Sequence, residues 1–385
     1  MFLLCVMLQQ PMLAERYDPL AYMDSLDFSL ITCSPHEEIY SLYGHTALRV
    51  RDLHQGKQQQ DVCFNWGVFN FEKPHFVARF VFGLTDYELG LGDFQLFCKY
   101  YRHWGSSVTE QVLNLTSEEK LALNNALEEN YQEENRTYRY NFFYDNCSTR
   151  PRNIIERCIN GRLVYERRNG YEPTFREMIH EKTRHHDWAT WGNDMLLGVK
   201  ADLKTTREEQ EFLPENLMYD FSQARINGND GSWRPLIKES RMIVMPGVQI
   251  IESDFLLSPS ECALLLLLVS LGVLAVEWRR RTTWRLWDAG LMLLTGVAGC
   301  VLTVMIFSQH PATSMNLQLL LVNPVHLFFI PSVLRNKPIK RYWIALLTMC
   351  VGFGLGSMFQ DYAEGMMILA LCLLLRTCIH LRNEK

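Results

Sequence analysis

Three residues of the types that together carry covalent catalysis stand at Cys147, His45 and Asn65. Cys147 lies in the stretch Tyr138-Arg139-Tyr140-Asn141-Phe142-Phe143-Tyr144-Asp145-Asn146-Cys147-Ser148-Thr149-Arg150-Pro151-Arg152. Its first half alternates aromatic and mixed side chains, the period of a half-buried strand. Pro151 then suits the first turn of a helix, Ile154, Ile155 and Ile159 supply an apolar face, and Gly161 supplies a stop. Asp145, Asn146 and Ser148 are all candidate caps. A thiol at that helix edge feels the positive end of the dipole, and Arg150 and Arg152 are close in sequence. Both effects favour thiolate, the form that attacks carbonyls. The plainer reading is a small buried cysteine that only packs. The strand–cysteine–helix context favours the reactive one.

A nucleophilic cysteine needs a base, and a third polar group usually orients that base. His45 sits in Ser41-Leu42-Tyr43-Gly44-His45-Thr46-Ala47-Leu48-Arg49-Val50, after a strand pattern over 28–33. A second strand pattern runs over 46–51, and a third over 62–68 follows a polar loop. A hairpin centred near residues 55 and 56 puts His45 opposite Trp66, with Asn65 adjacent. A lone histidine is more often solvated or satisfied within a core; Cys147 is what gives this one meaning. The chain order histidine, asparagine, cysteine is not that of papain, but such a triad is defined by geometry rather than by order.

The remaining segments frame these residues. Residues 71–110 are rich in aromatics, which suit either a greasy groove or an ordinary core. Thr116-Ser117-Glu118-Glu119 has the form of a capping box, and Leu121, Leu123 and Leu127 follow at helical spacing, so a helix is expected over 117–131. From 162 to 255 the pattern is irregular, with a turn at Asn227-Gly228-Asn229-Asp230-Gly231. His185-His186-Asp187 invites a metal reading, but no second ligand group at zinc-like spacing accompanies it, so no metal or cofactor is expected.

The 385 residues are 48% hydrophobic. That average hides a split: the chain is charge-rich up to about residue 255 and mostly apolar beyond. The net charge of −5, with no basic patch interleaved with aromatics, argues against a nucleic-acid partner. Residues 1–15 resemble a secretory signal whose n-region lacks Lys or Arg; an ordinary buried N-terminal segment is the alternative. Five of the 11 cysteines (Cys33, Cys63, Cys98, Cys147 and Cys158) fall in the polar part. An odd number leaves at least one thiol unpaired in an exported domain.

Five apolar runs, about 260–277, 286–308, 316–334, 342–358 and 363–380, approach the ~20 residues that span a bilayer. Arg279, Arg280, Arg281 and Arg285 follow the first run; Arg335, Lys337, Lys340 and Arg341 join the third to the fourth; Arg376, Arg382 and Lys385 close the chain. The positive-inside rule then puts the polar half and the 308–316 and 360–365 loops on the outer face. His310, Asn316, Gln318, Asn323, His326, Gln360 and Asp361 cluster on that side. Polar residues such as Asn323 and His326, a turn or two inside a span, are costly enough to suggest function.

Tyr43-Gly44-His45-Thr46-Ala47-Leu48-Arg49, Phe64-Asn65-Trp66-Gly67 and Tyr144-Asp145-Asn146-Cys147-Ser148-Thr149-Arg150 together resemble the Lnb family of lipoprotein N-acyltransferases. Phe212-Leu213-Pro214, His310-Pro311 with Asn316, and Asn323-Pro324 extend the likeness over most of the chain. The resemblance implies an α+β fold: a periplasmic, circularly permuted papain-like domain over 16–255, fused to an all-α bundle of five transmembrane helices over 256–385 in a bacterial inner membrane. It implies that Cys147 takes an acyl chain from a membrane phospholipid as a thioester and passes it to the N-terminal amine of diacylglyceryl-cysteine lipoproteins. His45 would be the general base and acid, and Asn65 the orienting group. Tyr43, Tyr144, Asn146 and Arg150, with His310, Asn316 and Asn323 on the outer side, are the candidate substrate-binding residues. Two other classes remain open: a membrane-anchored cysteine hydrolase of cell-wall peptides or lipids, and a non-enzymatic envelope scaffold.

Overall fold

Apolar side chains alternate with others along residues 26–33 and 45–52, and the two stretches form neighbouring strands packed on both faces. The computed structural model describes residues 18–53, 60–69, 79, 82–166, 168, 170–249 and 255–383. The expected signal segment, the tip of the first hairpin and part of the aromatic stretch after residue 70 lie outside them. A short helix α1 (Pro19–Asp24) leads into β1 (Leu26–Cys33), β2 (His45–Asp52), β3 (Asp61–Val68) and β4 (Asp86–Asp93). Then come α2 (Phe94–His103), β5 (Val108–Leu113), α3 (Ser117–Tyr131), β6 (Thr137–Arg139) and α4 (Thr149–Cys158).

Helix α3 has the expected bounds, and its capping box is formed by Thr116 and Glu119. The expected strand over the aromatic stretch ends early, at Arg139. Asn141 Oδ1 accepts the amides of Phe143 and Tyr144, and the backbones of Asn141 and Asp145 bond each other, so a compact turn replaces the ladder. The irregular region holds β7 (Arg162–Val164), α5 (Phe175–Thr183), α6 (Asp187–Leu196), α7 (Pro214–Gln223), β8 (Arg225–Asn227), β9 (Trp233–Pro235) and β10 (Ile237–Val244). Its helices are short, and their stability comes from packing rather than from a long periodic stripe.

Seven strands form one antiparallel sheet in the order β10-β5-β1-β2-β3-β4-β6; β7, β8 and β9 form a second. On the large sheet, Phe28, Leu30, Leu48, Phe64 and Trp66 face a core shared with α3, α4 and α7. Ile31, Cys33, Ala47 and Cys63 face the opposite way, against Phe94, Cys98 and Tyr101 of α2. The β2–β3 register pairs Leu48 with Phe64 and Arg49 with Cys63. It is one residue off the expected hairpin: extended, it sets Gly67 across from His45 and Asn65 across from Ala47. A one-residue shift exchanges faces, so Asn65 joins His45 on the α2 side of the sheet.

The C-terminal part is helical: α8 (Pro259–Arg280), α9 (Arg285–Ile306), α10 (Val325–Leu334), α11 (Lys340–Gly356) and α12 (Met366–Asn383). Among the described residues, four segments are long and apolar enough to cross a membrane: Pro259–Arg280, Arg285–Ile306, Pro311–Leu334 and Met366–Asn383. Helix α11 has 17 residues. The third segment is broken into short 3-10 turns at Pro311–Thr313 and Leu317–Leu320 before α10, with Pro331 inside that helix. It packs closely on α9, where an added Cβ at Gly299 would lie 2.6 Å from the Asn323 backbone. Arg376 is not a loop residue at the chain end. It is 2% exposed within α12, bound by Glu277 of α8 and Asp288 of α9.

Candidate active site

The turn after β6 delivers Cys147 to the start of β2. Asn146, 3% exposed, holds that turn: Nδ2 donates to the carbonyls of Phe142 and Phe212, while Oδ1 accepts the N–H groups of Ser148 and Thr149. Of the three candidate caps, this is the one that satisfies the first turn of α4. Ser148 Oγ meets Thr46 Oγ1 at 2.8 Å, which fixes the helix start against β2.

His45 Nε2 lies 2.6 Å from Asn65 Oδ1. A carboxamide oxygen only accepts, so Nε2 carries the proton and Nδ1 is the nitrogen left for the hydrogen bond with the Cys147 thiol. The three residues named first from the sequence are thus neighbours, contributed by β2, β3 and the turn before α4. The Tyr101 ring is stacked over His45, with ring centroids 6.5 Å apart.

Burial pushes the Cys147 thiol up, but the charge and hydrogen bond of His45, the Thr46 N–H and the Ser148 hydroxyl outweigh it, leaving the pKa below its ordinary 9.0. Burial likewise pulls His45 down, and attraction to Cys147 with bonds to Cys147 and Asn65 more than restores it, above 6.5. Both shifts run in the direction of a thiolate–imidazolium pair. Cys147 alkylation should therefore begin at lower pH than for an ordinary thiol. In His45→Ala only burial and weaker partners remain, so the iodoacetamide rate profile should move to higher pH; an unmoved profile would mean the pair does not form. Attack on a carbonyl by such a pair would draw on both charged forms, so its rate should fall on the acid side as the thiolate protonates and on the alkaline side as the imidazolium deprotonates.

The pair opens into a pocket of about 280 Å³ whose wall includes Tyr43, Tyr101, Phe142, Phe212 and Pro214. His36, 4% exposed, forms part of the same wall, with its ring stacked on Trp104 at 5.0 Å. Neither Asn146 nor Tyr43 stands free: Tyr43 Oη accepts from Asn193 Nδ2 at 2.8 Å. Tyr144 points away, against Phe175. Arg150 is engaged by Asp145 at 2.6 Å and lies over the Tyr138 ring.

Of the candidates in the apolar half, Asn323 Nδ2 donates to Leu319 O and its Oδ1 accepts the Val325 N–H where α10 begins, so its side chain is taken up by the backbone. His310 precedes the Pro311 turn, and its carbonyl accepts from Thr313. Neither lines the pocket. His326 bonds Tyr342 Oη and the Leu321 carbonyl. Asn316, 5% exposed, donates from Nδ2 to Met195 O at 2.7 Å. Gln318 reaches Asp194 O at 2.8 Å and Gln360 reaches Leu197 O at 2.9 Å. These are carbonyls at the C-terminal end of α6, which a helix leaves unpaired. Three outer-side amides thereby cap a helix of the other domain, and Asn193 on that helix holds Tyr43 in the pocket wall. Gln318→Ala takes the Gln318 donor from the Asp194 carbonyl and the acceptor from the Ala363 N–H at this junction, and we expect about 1–3 kcal/mol of lost stability, read as a lower detergent-solubilised Tm. An unchanged Tm would show the junction to be dispensable.

All ten described cysteines are free thiols. Among the described residues, no group of three or more His, Cys, Asp or Glu is placed to hold a metal ion.

An α+β domain with a cysteine–histidine–asparagine pocket, packed through α6 on the ends of apolar helices, defines a membrane protein with a folded domain outside its spans. Residues 15–181 match the Lnb N-terminal periplasmic domain, and residues 250–385 match the Lnb transmembrane domain. The chain belongs to the Lnb family. No curated protein and no solved structure matches it.

Proposed function

We propose that this protein is a lipoprotein N-acyltransferase of the bacterial inner membrane, with a signal peptide at 1–15, a permuted papain-like periplasmic domain over 16–255 and five spans over 256–385. Helix α11 is the fifth span on this reading; it returns the chain outward between the Lys- and Arg-bearing 335–341 loop and the 360–365 loop. The observation that carries the function is the junction: amides of the apolar half cap α6, which holds the wall of the Cys147 pocket. A water-soluble substrate gives no reason for that coupling. A substrate anchored in the bilayer does, because its carbonyl must meet the thiol at a fixed height.

Cys147 thiolate attacks an ester carbonyl of a membrane phospholipid, and the His45 imidazolium protonates the departing glycerol oxygen. Asn65 keeps Nε2 occupied, so Nδ1 faces the sulfur throughout. Among the described residues no acceptor takes the Cys147 N–H, which is left to donate to the oxyanion; one such donor is worth about 10²–10³ in rate. The thioester carbon is then attacked by the α-amine of a diacylglyceryl-cysteine lipoprotein, giving the amide and restoring the thiolate. Phe142, Phe212 and Pro214 offer the acyl chain an apolar wall.

The test is intact-mass spectrometry of the full chain in phospholipid vesicles. A hydroxylamine-labile fatty-acyl adduct on Cys147 that moves to an added diacylated lipopeptide is the expected result. Labelled lipid that yields only free fatty acid, with or without lipopeptide, would make the protein a hydrolase.

A further inference from the structure

The transfer step has a proton balance that His45 alone does not close. An amine in water arrives as an ammonium ion. Joining it to a thioester gives an amide and a thiolate and releases two protons. After the ester half-reaction His45 is neutral, and it takes one of these to become again the imidazolium partner of the thiolate. The other needs a second acceptor within the pocket. Attack by water or by an unprotonated amine makes no such demand, because only one proton must leave during bond formation.

His36 stands where that acceptor is required. It forms part of the catalytic pocket's wall and of a neighbouring polar cleft lined by Glu37, Lys182, Arg184 and His186. Its ring is fixed by stacking on Trp104 and by edge contacts with Tyr100 and Tyr101, the same Tyr101 that covers His45. Nδ1 is buried with no hydrogen-bond partner, 3.9 Å from Glu38 Oε2. That distance is too long for a hydrogen bond but close enough for the carboxylate to stabilise an imidazolium. With Nδ1 turned to Glu38, Nε2 is the nitrogen left for the pocket. Glu38 is itself held by the hydroxyls of Tyr40 and Tyr100. No other part of the thiol chemistry uses this histidine.

We infer that His36 is a second catalytic base, which takes one proton from the lipoprotein ammonium and so frees the amine that attacks the Cys147 thioester. The nitrogen lone pair forms the C–N bond, the C–S bond breaks to thiolate, one proton goes to His45 and one to His36, and His36 returns its proton to water through the polar cleft. Burial holds the His36 pKa below its ordinary value despite the nearby Glu38, so the ring is neutral and ready at neutral pH. The inference rests on the acyltransferase reading.

The experiment uses the full chain in phospholipid vesicles and separates the two half-reactions. His36→Ala and His36→Gln are followed by intact mass for thioester formation, then for loss of the adduct to a diacylated lipopeptide and, separately, to hydroxylamine, which is unprotonated at neutral pH. We expect normal adduct formation, which also reports a folded protein, and normal discharge by hydroxylamine. Transfer to the lipopeptide should fall by about 10²–10⁴-fold, the usual contribution of a general base. Wild-type transfer in either variant that still forms the adduct would overturn the inference, as would an equal loss with both nucleophiles. If the wild type itself forms no adduct, it is the acyltransferase reading that fails.

Discussion

Cys147→Ala should remove every trace of acyl adduct and reduce lipoprotein N-acylation by about 10⁴–10⁶-fold, the loss seen when a covalent nucleophile is deleted from an assembled triad. The methyl group fits the turn, because Asn146 and not the thiol holds it, so the variant should melt with the wild type. Cys147→Ser is the sharper companion. A hydroxyl is far less acidic than a thiol, and the His45 contact that stabilises a thiolate does not ionise it. Serine should therefore be nearly as inactive as alanine. His45→Ala should approach the same floor, since members of one catalytic unit are not additive. Asn65→Ala, which frees the ring without removing it, should cost less than either. The assay is the mass shift of a diacylated lipopeptide in vesicles; substantial activity in Cys147→Ala, with fold intact, would end the covalent route.

The second large effect is on stability. Arg376 donates to Glu277 and Asp288 from four guanidinium contacts of 2.6–3.1 Å, His380 adds a contact to Asp288 at 2.9 Å, and Glu277 also accepts the Trp284 N–H. All three charged residues are at most 5% exposed. In Arg376→Met two buried carboxylates lose their shared guanidinium, and we expect a loss of about 3–5 kcal/mol, read as a lower Tm in detergent and lower yield in membranes. The triple change Arg376→Met, Glu277→Gln, Asp288→Asn removes the charges together and should recover much of that loss. A triple variant no better than the single would show that packing, not charge pairing, makes Arg376 necessary.

Much of this protein is written locally. The strand patterns around His45 and Asn65, the Thr116 capping box and the apolar runs each depend on residues within a turn or two of one another. Periodicity and spacing therefore reveal them without the fold. The family likeness came from three short motifs of that kind. Cys147 stood out because proline, isoleucine spacing and the preceding aromatics mark a helix start on their own.

The rest depended on contacts between distant segments. A polar loop between β2 and β3 leaves the hairpin register open by one residue, and that residue decides which face Asn65 occupies; the neighbouring strands and α2 choose it by burying the odd-numbered side chains. His36 looks like any loop histidine until Trp104, some seventy residues on, stacks against it. Asn316, Gln318 and Gln360 read as costly polar residues near a membrane boundary because their partners, the end carbonyls of α6, lie more than 100 residues away. Arg376 read as a terminal positive charge for the same reason, its carboxylates lying on two other helices. Sequence thus marked which groups are candidates for chemistry and which half is apolar enough to enter the bilayer. Tertiary structure decided which groups meet, because a buried polar atom must find a partner and only the folded chain brings that partner within hydrogen-bond reach.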